Sequence, residues 1–183
     1  FLKIVTTLVN FWQKNWLKKK YIAGDTIVLA IPRGGVVVGR AIADKLGVPL
    51  DVVVTRKISA PNQPELALGA VGPGRVQVID VGIVERTGTS DGYLKKAIEQ
   101  LRSEVKLRER LFRAAKEPLN LDGKTVIVVD DGIATGATAR AALNFTKIHQ
   151  PKVIVLASPV ASRDSFEKLS ELVDDIVVLQ VPE

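Results

Sequence analysis

Val126-Ile127-Val128-Val129-Asp130-Asp131-Gly132-Ile133-Ala134-Thr135-Gly136-Ala137-Thr138 is the stretch on which the reading of the fold turns. Its first residues, with Thr125, form an apolar run without alternation, the pattern of a strand buried on both faces. The chain then presents two adjacent carboxylates, a loop of small residues with two threonines, and a helical segment over 137–148. In open α/β sheets ligands bind at the carboxyl ends of the strands, so the residues just after this strand carry the functional information. Adjacent carboxylates at a strand terminus repel each other, and a fold tolerates them best when a diol, a metal or a cation shares the site. The free N–H groups and positive dipole at the start of the following helix favour a phosphate dianion. The ligand that matches is a diol beside a phosphate, as in ribose 5-phosphate. A Walker-type loop fits poorly, because its Lys-Ser/Thr pair is missing.

Working outward, the spacing predicts a strand over 26–31, a Pro32-Arg33-Gly34-Gly35 turn, a helix over 36–46 and a second strand over 50–55. This is a βαβ unit with the usual right-handed crossover. Downstream, 152–157 reads as a strand, 164–172 as a helix and 176–179 as a strand. Between these halves, 56–92 contains Pro61, Pro64 and Pro73-Gly74 and reads as a long mobile loop with a small hairpin over 75–84. Asp91 is the expected cap of a long helix with Leu94, Ile98, Leu101, Val105 and Phe112 on one face, stopped by Pro118. The first 21 residues have an apolar stripe at helical spacing that ends at Ala23-Gly24-Asp25. The expected fold is α/β, a doubly wound and mainly parallel sheet flanked by helices with a flexible loop or hood insertion. One domain is expected over 1–183, its core at about 22–57 and 118–183, with the hood and long helix at about 58–117.

Composition narrows the chemistry. A chain of 183 residues, 46% apolar and 25% charged, is sized for one packed domain and not for disorder. The absence of cysteine excludes a disulfide framework, a thiolate nucleophile and cysteine-ligated metal. A single histidine, His149, excludes a multi-histidine metal site; near a helix C-terminus it is expected to meet the helix dipole and nothing more. No apolar run reaches the length of a membrane span and no signal-peptide pattern opens the chain, so a cytoplasmic setting is expected. With Phe1 at one end and Val181-Pro182-Glu183 at the other, either end is expected to be incomplete. The net charge of +6 is uneven: residues 1–20 and 95–116 each carry a net +5. Two basic helices can mark a nucleic-acid face or be ordinary solvated faces.

The thirteen residues quoted above resemble the phosphoribosyl-pyrophosphate (PRPP) motif of the type I phosphoribosyltransferases at every position. The resemblance runs from about residue 27 to the C-terminus and is nearest to a bacterial and archaeal subfamily without an assigned acceptor, including the stretch 59–72. It implies that Asp130 and Asp131 hold the ribose 2- and 3-hydroxyls. It implies that the loop around Gly132, with Ala134, Thr135, Gly136, Ala137 and Thr138, binds the 5-phosphate. Arg33, Gly34 and Gly35 fall where that family has a pyrophosphate loop, and the Pro32-Arg33 peptide is expected to be able to turn cis. Arg56 and Lys57, read as ending the second strand, resemble a basic pair aimed at pyrophosphate; on their own they would pass for two exposed bases at the start of a loop. Magnesium is the implied cofactor, carried on PRPP, with no direct protein ligand and water-bridged reach to Asp130 and Asp131. A homodimer is expected.

Two departures from the family pattern matter. Ala134 stands where hypoxanthine-guanine enzymes carry an aspartate near the purine, and an aromatic-rich tail that usually follows is absent after Glu183. Glu65, the only acid between Asp51 and Asp80, becomes the candidate acid/base, in a loop over 58–71 expected to close over the site and exclude water. The competing reading is an ordinary exposed glutamate. The activity implied is transfer of ribose 5-phosphate from PRPP to a nitrogen acceptor, expected to be a nucleobase, with release of pyrophosphate; Asp130, Asp131, Glu65 and Lys57 are the catalytic candidates. The alternative is a regulator that senses PRPP and binds RNA or DNA through the two basic segments.

Overall fold

The computed structural model describes residues 25–182 apart from residue 115, so the helix expected over the first 21 residues lies outside the described part. The elements are β1 (Thr26–Ala30), α1 (Gly34–Leu46), β2 (Leu50–Val52), β3 (Arg56–Ala60), β4 (Gln63–Val71), β5 (Gln77–Ile79), α2 (Val81–Thr87), α3 (Asp91–Arg113), β6 (Thr125–Val129), α4 (Ala137–Ile148), β7 (Val153–Val160), α5 (Arg163–Ser170) and β8 (Asp175–Gln180). Five strands form a parallel sheet in the order β2-β1-β6-β7-β8. β1 and β6 are buried at every residue, as apolar runs covered on both faces must be.

One face of this sheet packs Val28, Ile127, Val129 and Ala157 against Val38, Ile42 and Ala43 of α1. The opposite face packs Leu29, Val126, Val128 and Leu156 against Ala142 and Leu143 of α4 and Leu169 of α5. The chain winds outward from β1 to β2 and in the other direction from β6 through β7 to β8, which places the topological switch point between β1 and β6. Register aligns Ala30 with Val129 and Val129 with Ala157, so the loops after β1, β6 and β7 emerge together on one edge.

The segment between the halves differs from the mobile loop expected of it. β3, β4 and β5 form an antiparallel three-stranded sheet, the hood, with β4 in the centre. Its buried Ile58, Leu68 and Val71 pack against Val105 of α3, with Leu94, Ile98 and Leu101 around them. Prolines suggested a loop because they cannot donate to a ladder. Here Pro61 sits in the β3–β4 turn, and Pro64 lies in the part of β4 that β5 does not reach. The small hairpin expected over 75–84 is instead β5 followed by α2. The second strand ends at Val52, not at residue 55. Val53, Val54 and Thr55 are buried as the chain crosses from one sheet to the other, so continuous burial imitated a longer strand, and Arg56 and Lys57 open β3. Ser90, one residue before Asp91, caps α3 by accepting from the Tyr93 N–H at 3.3 Å. α3 ends at Arg113, five residues short of Pro118, where Ala114 takes a left-handed φ of 47°.

Candidate active site

β6 delivers Asp130 buried and Asp131 exposed at the switch point. The Asp131 backbone N–H donates to Asp130 Oδ1 at 2.9 Å. Loss of water is the largest influence on the Asp130 carboxyl and, with the Asp131 carboxylate beside it, raises it from an ordinary 3.8 to about 7, partly offset by that backbone hydrogen bond. The glycines after β1 are there for closeness. A Cβ on Gly34 would overlap the Asp131 carboxylate, and one on Gly35 would lie 2.7 Å from the Val129 carbonyl oxygen. The turn therefore lies directly against the acid pair, with Arg33 exposed at its tip and the Pro32-Arg33 peptide cis, as expected for it.

The loop over 132–136 is fixed from behind. Ile133 N–H donates to the Val160 carbonyl at 2.9 Å and its own carbonyl accepts from Ser162 N–H at 2.9 Å. The Ala134 carbonyl accepts two hydroxyls, Ser162 Oγ at 2.6 Å and Ser165 Oγ at 2.7 Å. Gly136, at φ 72°, then starts α4 with no side-chain cap, and its carbonyl accepts the helix's first hydrogen bond, from Arg140 N–H at 2.8 Å. The N–H groups of Ala137, Thr138 and Ala139 precede that bond and have no intrahelical acceptor, which leaves them to an anion. Gly132, Ala134, Thr135, Gly136, Ala137 and Thr138 thus form one loop and first turn adjoining Asp130 and Asp131.

The candidate residues of the hood pair among themselves and with α3. Arg56 is held by Glu104 of α3, with Nη2 at 3.1 Å and Nε at 3.2 Å. Lys57 lies 3.6 Å from Glu65 Oε2, and the Glu65 side chain is 99% exposed. Glu65 sits on β4, not in a loop, and its partner is Lys57. Ser162 and Ser165 escaped the sequence reading because Ser-x-x-Ser before a helix looks like a plain N-cap; Ser162 is one, accepting from Ser165 N–H at 3.3 Å. His149 bonds only locally among the described residues, its Nδ1 donating to the Phe145 carbonyl at 2.8 Å.

No group of three or more metal-ligating side chains exists among the described residues. Two neighbouring carboxylates fit a magnesium ion that arrives on phosphate oxygens and keeps its waters, and not an all-protein cage.

Residues 3–180 match the family model described as the phosphoribosyl transferase domain. A provisionally named phosphoribosyl transferase of Mycobacterium tuberculosis (strain H37Rv) is 38% identical over 156 residues, 85% of this chain and 35% of that protein. The chain therefore spans about a third of the length of that curated relative. The crystal structure of TT1426 from Thermus thermophilus superposes with a TM-score of 0.75 at 35% identity, covering 98% of this chain and 82% of the other. Adenine phosphoribosyl transferase from Trypanosoma brucei, at 14% identity and a TM-score of 0.55 over 96% of this chain and 64% of the other, shares the fold.

Proposed function

Because the chain belongs to the phosphoribosyltransferase family, we propose that it transfers ribose 5-phosphate from PRPP to a nitrogen of a nucleobase and releases pyrophosphate. The observation that carries this reading is the buried Asp130 beside Asp131, contiguous with a helix start that has no side-chain cap and whose first N–H groups are open to an anion. A diol next to a phosphate satisfies both at once.

In this reading Asp130 and Asp131 accept hydrogen bonds from the ribose 2- and 3-hydroxyls while Thr135 to Thr138 hold the 5-phosphate, fixing the sugar at two ends. The bond from C1 to pyrophosphate breaks with its electron pair leaving on oxygen, and the acceptor nitrogen forms the new bond to C1. Developing positive charge on the sugar lies near the acid pair, and developing negative charge on pyrophosphate lies near the Gly34-Gly35 turn with Arg33. Magnesium bound to the diphosphate beside Asp130 and Asp131 would neutralise part of the leaving group's charge. The proton lost from the acceptor goes to a base; Glu65 serves if the β3–β4 hairpin folds down, bringing Lys57 with it. Arg56, already fixed by Glu104, orients the start of β3. Cytoplasmic salvage of bases by a homodimer is the setting that suits this chemistry.

The test is pyrophosphate release from PRPP and magnesium across a panel of purines, pyrimidines and simple amines. Release dependent on one class of base supports the reading; no release with any acceptor, despite PRPP binding, favours a PRPP-sensing regulator.

A further inference from the structure

A cavity of about 530 Å³ lies between the β4–β5 turn and the middle of α3, within the size range of small-molecule sites. Gly72, Gly74 and Arg75 wall it on the side of the turn, and Arg102, Val105 and Lys106 on the side of the helix. None of the residues given above to PRPP or to catalysis lines it, so it lies outside the site already described.

Its charge is one-sided. Arg75 and Lys106 are exposed, and neither side chain makes an ion pair or a hydrogen bond among the described residues. Arg102 has no acidic partner there either: its Nη2 donates to Gln77 Oε1 at 2.8 Å and to the Arg75 carbonyl at 3.4 Å, both neutral acceptors. The Arg102 Nε–H is buried with no acceptor at all, a state that folded chains seldom keep without a gain elsewhere. The one acid in the wall, Glu109, is already taken by Arg113 at 2.9 Å. Three cations thus converge on one cavity without a counter-charge, and their potentials add. Among the described residues the wall has no aromatic ring and a single apolar side chain, Val105, so it has nothing on which to seat a base or an acyl chain.

We propose that this cavity binds a compact polyphosphate group, the diphosphate or triphosphate of a free polyphosphate or of a nucleotide. Arg102, held in place by Gln77, presents the guanidinium fork that matches phosphate oxygens. Lys106, four residues along the same helix face, and Arg75, from the turn, take the remaining oxygens. A phosphate that draws the Arg102 guanidinium toward the cavity supplies its Nε–H with the acceptor it lacks. One phosphate alone carries too little charge to engage all three cations. The occupant ties the β4–β5 turn to α3, bracing the hood at the end of β4 opposite the β3–β4 turn. The proposal does not depend on the chain transferring ribose.

Calorimetric titration of the full chain with tripolyphosphate, ATP and orthophosphate, at constant free magnesium and ionic strength and with saturating PRPP to fill the acid-pair site, tests it. Tripolyphosphate should bind with one equivalent per chain and at least tenfold more tightly than orthophosphate. ATP binding no tighter than tripolyphosphate makes a free polyphosphate the occupant, and tighter ATP binding makes it a nucleotide; either agrees with the proposal. Arg75→Glu and Lys106→Glu should each weaken tripolyphosphate binding tenfold or more while PRPP affinity stays within twofold of wild type. Circular dichroism checks that both variants fold, and the double variant Arg75→Ala with Lys106→Ala replaces either one that does not. The proposal is overturned if tripolyphosphate fails to bind in the presence of PRPP, if orthophosphate binds as tightly, or if the folded variants bind tripolyphosphate like wild type.

Discussion

Burial holds the Asp130 carboxyl at about 7 instead of an ordinary 3.8, so the folded, ligand-free chain keeps this proton far more tightly than the unfolded chain does. Below about pH 4 both states are protonated and the residue costs nothing. As pH rises from about 4 through 7 the unfolded state gains a solvated carboxylate that the folded state must bury, and stability falls. Asp130→Asn removes that cost: the ligand-free variant should be more stable than wild type at pH 8, by on the order of 2 to 4 kcal/mol, and equal to it near pH 4, read by thermal denaturation at both pH values. A wild-type chain with the same stability at both pH values relative to the variant would contradict this account of Asp130. Gly34 is constrained by its neighbour in the same cluster. Gly34→Ala puts a methyl group where the Asp131 carboxylate lies, and PRPP affinity measured by calorimetry should fall tenfold or more.

At the level of elements, the loop is only as rigid as its support. Ser162→Ala with Ser165→Ala removes both hydroxyls from the Ala134 carbonyl, each worth about 1 kcal/mol, and should raise the PRPP dissociation constant roughly tenfold. Unchanged affinity would mean that the loop holds its shape without them. The hairpin makes a separate claim. If it closes, Glu65→Gln should lower kcat by roughly a hundredfold with PRPP affinity nearly unchanged, and a loss below threefold would return Glu65 to the role of a solvated partner of Lys57. The elements that bear the site were legible in the sequence because their signals are local: Thr125–Val129 and Ala137–Ile148 have the bounds the apolar pattern predicts, and the acids and small residues between them fall at a strand's carboxyl end, where such sheets bind ligands. The hood was not legible. Its strands are stabilised by a helix more than twenty residues downstream, and Pro61 and Pro64 hid a ladder that tolerates them at a turn and beyond the reach of β5.

On the scale of the molecule, α4 packs against the main sheet and the hood alike, joining the two sheets through one helix. We expect one cooperative unfolding transition for the chain; separate melting of hood and core would contradict it. The basic stretch over 95–116 is partly spent on this assembly. Arg102 donates to Gln77 at 2.8 Å, and Arg113 ties α3 to β2 through Asp51 at 3.0 Å and the Val52 carbonyl at 2.9 Å. Those two cations hold elements together, which weakens the case for a nucleic-acid face. The central claim is that the acid pair grips the ribose of PRPP, and calorimetric titration of magnesium-PRPP into wild type, Asp130→Asn and Asp131→Asn at pH 8 tests it most directly. A hydrogen bond to a charged group contributes about 1.5 to 3 kcal/mol, so each variant should bind roughly ten- to a hundredfold more weakly; equal affinity in all three would contradict it.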